Sequence, residues 1–199
     1  MAMSGEKESF GARVIGPELA ESLQPREERI AELGRDLVNA AYLRGDFVLS
    51  SGMRSSYYFD KYLFETKPSI LRRVASFLAE LIPGQTDRIA GPELGAVALA
   101  TAVSLETGLP FIIVKKQSKD YATKRTVEGE LYAGEKVVVV EDILTTGAAA
   151  IRAADQVKLG GGEVLKVLAV IDREQGATQN IASAGYQCEA LFRRHQLGV

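Results

Sequence analysis

The sequence predicts an α/β fold in which a mostly parallel central sheet is flanked by helices. Three observations predict it. Val137–Val140 is a run of β-branched residues, too short for a helix and too apolar to alternate, and so reads as a strand buried on both faces. From Pro68 onward, strand-like runs alternate with segments of helical periodicity, which calls for right-handed βαβ crossovers. Finally, the segments GPELG, KKQSKDY, EDILTTG and DRE each follow a strand, at the edge where such sheets bind ligands.

The elements follow in order. Arg26–Arg44 places Ile30, Leu33, Leu37, Val38 and Ala41 on one helical stripe, with Gly45-Asp46 as its stop. Phe47–Leu49 and Tyr57–Phe59 are short strands around the polar turn SSGMRSS. Pro68–Ile82 opens with proline at a helix start and repeats Ile70, Leu71, Val74, Phe77, Leu78 and Leu81 at helical spacing. Arg88–Ala90 is a strand, GPELG a turn, Ala96–Thr107 a helix and Phe111–Val114 the next strand. After a charged loop come Val137–Val140, a helix from about Ala148 to Leu159 closed by three glycines, and the strand Val164–Ile171. A helix near Ala177–Ala184 and a strand near Gln187–Phe192 complete the chain. Residues 1–25, polar and without an apolar leader, read as a mobile arm, and residues 26–199 as one domain.

Composition narrows the function. A net charge of −2 argues against a nucleic-acid or anionic-membrane partner. The lone cysteine, Cys188, rules out an intramolecular disulfide and fits a reducing cytoplasm. The lone histidine, His195, sits in the charged tail RRHQ and reads as a surface residue, so a zinc site lacks ligands.

Chemistry concentrates in EDILTTG. Thr145-Thr146-Gly147 leads into the helix AAAIRAADQVKLG, whose first-turn N–H groups form a cradle for a phosphate dianion. Glu141 and Asp142 cannot serve that phosphate; they suit sugar hydroxyls, a metal or a developing cation. An anion cradle beside an acidic pair fits a sugar phosphate. GPELG, glycine at both ends, fits backbone approach to a diphosphate and equally fits a plain tight turn. Residues 115–129, KKQSKDYATKRTVEG, carry cations but few apolar anchors and read as a mobile lid over the strand ends. The aromatics of residues 57–59 can stack on a heterocyclic base or join the core, and Arg173 can hold a carboxylate bidentately.

Residues 137–147 resemble the PRPP-binding motif of the type I phosphoribosyltransferases (PRPP, 5-phosphoribosyl 1-diphosphate). The order SGxxSxYYxD at 51–60, GPELG at 91–95, KKxxKD at 115–120, VEG at 127–129 and DR at 172–173 is similar to that of the orotate phosphoribosyltransferases. The resemblance implies transfer of the phosphoribosyl group from PRPP to orotate with Mg²⁺, a hood over about residues 26–65, and a homodimer whose lid crosses to the other subunit. It implies that Lys115, Lys116 and Lys119 hold the diphosphate, with Lys119 catalytic. Glu141 and Asp142 would meet the ribose hydroxyls and stabilise the transition state, and Thr145, Thr146, Gly147 and Ala148 would bind PRPP. Tyr58 and Phe59 would flank the pyrimidine, with Thr145 and Arg173 also on orotate; no direct protein ligand to a metal is implied. The chain departs from the family's usual residues at Ser50 and Leu94 (lysine), Lys115 (arginine), Tyr121 (histidine) and Ala149 (a hydroxyl residue). A related enzyme for another nucleobase would not need Arg173 or the 51–61 segment. A PRPP-sensing regulator would need a nucleic-acid-binding region, which neither the charge nor the acidic first helix supplies.

Overall fold

A computed structural model of the chain describes residues 24–48, 54–116 and 126–199. The arm at residues 1–23 and the lid residues 117–125, which include Lys119 and Tyr121, lie outside the described residues, as do Ser50 and the start of the 51–60 motif. Helix α1 (Arg26–Ala41) leads into a hairpin of β1 (Tyr42–Val48) and β2 (Arg54–Phe59). A single helical turn, α2 (Tyr62–Glu65), and helix α3 (Pro68–Ala79) follow. The α/β body then runs β3 (Arg88–Pro92), α4 (Gly95–Thr107), β4 (Phe111–Val114), β5 (Val127–Glu128), β6 (Lys136–Leu144) and α5 (Ala148–Leu159). It ends with β7 (Glu163–Asp172), α6 (Ala177–Ser183), β8 (Cys188–Arg193) and a 3₁₀ turn at Arg194–Leu197.

The body sheet has the order β5-β4-β3-β6-β7-β8, with every pair parallel except β4 and β5. The chain moves outward from β3 to β4 and then returns to place β6 on the other side of β3. The carboxyl ends of β3 and β6 therefore open a crevice where the strand order reverses, the position at which open α/β sheets hold their ligands.

Burial follows the valine run. Val137, Val138, Val139 and Val140 are all fully buried, odd and even members feeding opposite layers. Val138 and Val140 join Leu33, Leu37, Phe77, Leu78, Leu99 and Val103 from α1, α3 and α4. Val137 and Val139 join Ala150, Ala153, Ala154 and Val157 from α5 and Ile181 from α6. Gly34 lets the C-terminal turn close on α1, because a Cβ there would come within 3.1 Å of Phe192 and 3.2 Å of Leu197.

Several boundaries differ from expectation. The first helix ends at Ala41, not at Gly45: Tyr42 already pairs with Phe59 and stacks on Tyr57 at 5.4 Å, and Gly45-Asp46 falls at a register shift inside β1. Strand β6 does not stop at Val140 but carries the acidic pair within it. Ile143 and Leu144 still pair with Ile171 and Asp172 of β7, so the ladder extends the strand. The turn α2 and the two-residue β5 had no periodic signal of their own.

Phe77 is 1% exposed, and the guanidinium groups of Arg26 and Arg29 lie over its ring at 5.4 and 5.2 Å. Phe77→Ala should destabilise the fold by about 3–5 kcal/mol, whereas Leu105→Ala, at an exposed position, should stay within about 0.5 kcal/mol. Denaturant unfolding of the two variants checks this; equal effects would mean that the α1–α3 layer is not the core.

Candidate active site at the β3–β6 crevice

The end of β6 turns into the uncapped N-terminus of α5, where the anion cradle was expected. Gly147 adopts φ +79° as the N-cap of α5, and no side chain caps that helix, so its first-turn N–H groups face outward. A Cβ at Gly147 would meet Ile181 at 2.9 Å, so glycine is required both by the backbone and by the packing of α6. Asn180 of α6 donates to the carbonyl of Thr146 at 2.8 Å and fixes the turn. Glu141, Thr145, Thr146, Gly147 and Ala148 line a cavity of ≈ 220 Å³ here, with Ala148 and Ala149 exposed at its rim. The structure thus gathers the phosphate residues expected from the sequence into one hollow.

The acidic pair sits deeper. Asp142 is 2% exposed; its Oδ1 accepts from the Ile143 N–H at 2.5 Å and its Oδ2 from Lys61 Nζ at 2.6 Å. Glu141 is also buried, and its Oε2 has no hydrogen-bond partner. Burial, reinforced by the Asp142 charge, pushes the Glu141 carboxyl well above the ordinary range. Glu65 of α2 joins the cluster with a second orphaned oxygen, Oε1. Burial and then the charge of Asp142 push Glu65 up to about 8, against a partial pull downward from Lys61. For Lys61, burial opposes the charge, but Asp142 outweighs it and holds the ammonium above its usual pKa. Neither Lys61 nor Glu65 carries a motif; only the fold of the hairpin and α2 brings them to β6.

On the other side of β6, the Arg173 backbone N–H donates to the Leu144 carbonyl at 2.9 Å, which ties the DR segment to the cradle strand. Arg173 is 8% exposed, its Nε has no partner, and its guanidinium lies 4.9 Å from the centroid of the Tyr57 ring. Burial opposes ionisation of the Tyr57 phenol, but hydrogen bonds and charge from Arg173 and Arg194 outweigh it and lower its pKa. Sequence reasoning held Tyr57 only as one of three aromatics that could stack on a base or join the core, and missed Arg194, which sat in what read as a surface tail. The expected pair of flanking aromatics is corrected. Tyr58 and Phe59 are consecutive on β2 and point to opposite faces: Tyr58 is exposed against Phe47, while Phe59 is buried beside Tyr42. Tyr57, on the Phe59 side, is the ring that meets Arg173.

Lys115 and Lys116 stand at the base of the 115–129 segment, which the Lys115 N–H closes by donating to the Thr126 carbonyl at 2.8 Å. Lys115 Nζ pairs with Glu128 at 2.5 Å, and the Lys116 N–H donates to Glu93 of the GPELG turn at 2.7 Å. The base of the segment is therefore tied to the turn after β3. The Glu93–Leu94 peptide of that turn is cis. Lys119 lies outside the described residues. Among the described residues no group of three or more His, Cys, Asp or Glu side chains could hold a metal ion, and no helix is long and apolar enough to cross a membrane.

Residues 64–185 match the family model described as the phosphoribosyl transferase domain. The chain is similar to the orotate phosphoribosyltransferase of Natronomonas pharaonis, with 46% identity over 77% of this chain and 87% of that protein. It is 41% identical to that of Methanocella arvoryzae over the same shares of the two chains. Among solved structures, the orotate phosphoribosyltransferase of Mycobacterium tuberculosis in complex with PRPP superposes with a TM-score of 0.73 and 30% identity, covering 85% of this chain and 99% of that one.

The geometry yields two tests. Ala148→Asp puts a negative charge into the cradle at a helix N-terminus where acidic residues are otherwise favourable. The melting temperature should hold or rise while ribose 5-phosphate affinity falls by at least about tenfold; unchanged affinity in calorimetry would remove the cradle. Glu65, with its folded pKa of about 8 above the ordinary 4.5, holds a proton in the folded state that the unfolded chain gives up across that window. Its contribution to stability is complete below the lower value and is lost as pH rises through the upper one. Glu65→Gln should therefore match the parent in melting temperature at pH 5 and exceed it at pH 9; parallel profiles would show that Glu65 is ionised throughout.

Proposed function

The chain belongs to the orotate phosphoribosyltransferases, within the phosphoribosyl transferase domain family, and from that premise we propose how its residues perform the transfer. The reaction moves the 5-phosphoribosyl group from PRPP to orotate, giving orotidine 5′-phosphate and diphosphate, a glycosyl transfer of pyrimidine synthesis. One observation carries the residue assignments. The uncapped N-terminus of α5, the buried acidic pair and the arginine after β7 all lie at the carboxyl end of the β6–β7 pair.

The 5-phosphate docks on the first-turn N–H groups of α5, with Thr145, Thr146, Gly147 and Ala148 around it. Glu141 and Asp142 accept hydrogen bonds from the ribose hydroxyls, and the orphaned Oε2 of Glu141 is an acceptor ready for such a donor. As the bond from the anomeric carbon to the diphosphate breaks, its electron pair leaves with the diphosphate and positive charge builds on the sugar ring. Asp142 stabilises that charge electrostatically, joined by Glu141 as the ribose donors and the developing cation lower its proton affinity, and a ring nitrogen of orotate attacks the anomeric carbon. The orotate carboxylate meets Arg173, with Tyr57 beside it, while Thr145 borders the base. Lys115, Lys116 and Lys119 hold the diphosphate, and Lys119 meets the charge that develops on the leaving group. Closure of the 115–129 segment keeps water from the same anomeric centre.

Mg²⁺, when bound, would supply positive charge against the diphosphate, with Glu141 the protein group beside it. A magnesium ion held mainly by substrate oxygens needs no cage of protein ligands, and an unfilled oxygen on Glu141 fits that arrangement. The functional unit in this reading is a cytoplasmic homodimer whose lid reaches the partner's site.

A PRPP-dependent assay over orotate, uracil, adenine and hypoxanthine should give product with orotate alone. Arg173→Ala should raise the KM for orotate far more than that for PRPP, since loss of a buried charged contact costs about 2–5 kcal/mol. Arg173→Lys, which keeps charge without the fork, should recover only part. Equal changes for both substrates would make Arg173 structural.

A further inference from the structure

We propose that Lys61 is a PRPP-binding residue, its ammonium standing between the carboxylates that receive the ribose hydroxyls and the turn that receives the diphosphate. The inference rests on the reading above and adds a residue that no motif contains. Lys61 follows β2 and reaches across 81 positions of sequence to Asp142, at 2.6 Å. Its tip lies against the first residue of α4: a Cβ on Gly95 would run into both Lys61 Nζ and Asp142 Oδ2. The ammonium thus occupies the seam between the two strand-end turns.

The cluster around it is not a closed ion pair. Three carboxylates, from Glu65, Glu141 and Asp142, face this one ammonium, and two of their buried oxygens have no donor. Sugar hydroxyls supply donors. Asp142 has one oxygen on the Ile143 N–H and the other on Lys61, so a hydroxyl that reaches Asp142 arrives directly beside the ammonium. In PRPP the 2-hydroxyl and the 1-diphosphate sit on adjacent carbons, so a cation beside the first is within reach of the second. The turn itself brings no cation: Leu94 is exposed and uncharged, and the Glu93 carboxylate is engaged by the Lys116 N–H. A flexible lysine stem with three donors can turn from carboxylate to phosphate as the hydroxyls take Asp142.

Steady-state kinetics of Lys61→Met and Lys61→Arg test this, with melting temperature as the folding control. Lys61→Met should raise the KM for PRPP by about tenfold or more while leaving that for orotate within about twofold, and Lys61→Arg should restore most of the loss. In the parent enzyme, Mg²⁺ with diphosphate should protect Lys61 from acetylation by acetic anhydride, and orotate alone should not. A Lys61→Met variant with unchanged or lower KM for PRPP, or labelling unaffected by diphosphate, would overturn the proposal: the lysine would then only neutralise Asp142. Equal loss for both substrates with a lowered melting temperature would do the same. A parent enzyme that does not use PRPP would instead overturn the functional reading itself.

Discussion

The parallel pairing of β3 with β6 is the constraint on which the rest depends. Arg88, Ile89 and Ala90 lie opposite Val137, Val138 and Val139, and this register sets the GPELG turn beside the segment that runs from Glu141 to Gly147. At the opposite end, the same pairing is locked by Arg88, whose guanidinium forks onto Glu135 through two hydrogen bonds of 2.7 Å. The four valines make the pairing stable because each is buried on its own side of the sheet. A stable sheet centre then holds polar groups at its carboxyl edge that could not assemble by themselves.

Those polar groups are expensive to bury. Asp142 and Glu141 lie almost fully inside, where an unpaired charge costs several kcal/mol. The fold offsets part of this with the Lys61 ammonium and the Ile143 N–H on Asp142, while raised proton affinities on Glu65 and Glu141 reduce the negative charge. The remaining orphaned oxygens are a local weakness in the folded chain and an asset to a site that must accept hydroxyl donors. A similar tension marks the arginine side, where Arg173 and Arg194 converge on one phenol and each keeps an Nε without a partner.

The legible parts of the fold were those governed by local period and composition. Val137–Val140 read as a doubly buried strand and is one, and Thr-Thr-Gly before an alanine-rich stretch marked the turn into α5 without any tertiary knowledge. The extension of β6 through Glu141 and Asp142 was not legible, because two carboxylates have no strand signal and only the β7 ladder keeps them extended. The first helix was read three residues too long since Tyr42–Arg44 continue its pattern, and cross-strand stacking on Tyr57 overrides it. Lys61, Glu65 and Arg194 reach the crevice only through packing of the hairpin, α2 and the C-terminal turn onto the sheet. Glu65 and Arg194 have no motif beside them in sequence, and Lys61 only follows one.

The most direct test of this account is a crystal structure of the protein with PRPP and Mg²⁺ bound. The account predicts the 5-phosphate within about 3 Å of the backbone N–H groups that open α5, with the ribose hydroxyls on Glu141 and Asp142. A 5-phosphate seated elsewhere, for example in the ≈ 330 Å³ cavity lined by Asp172, Thr178 and Asn180, would contradict it.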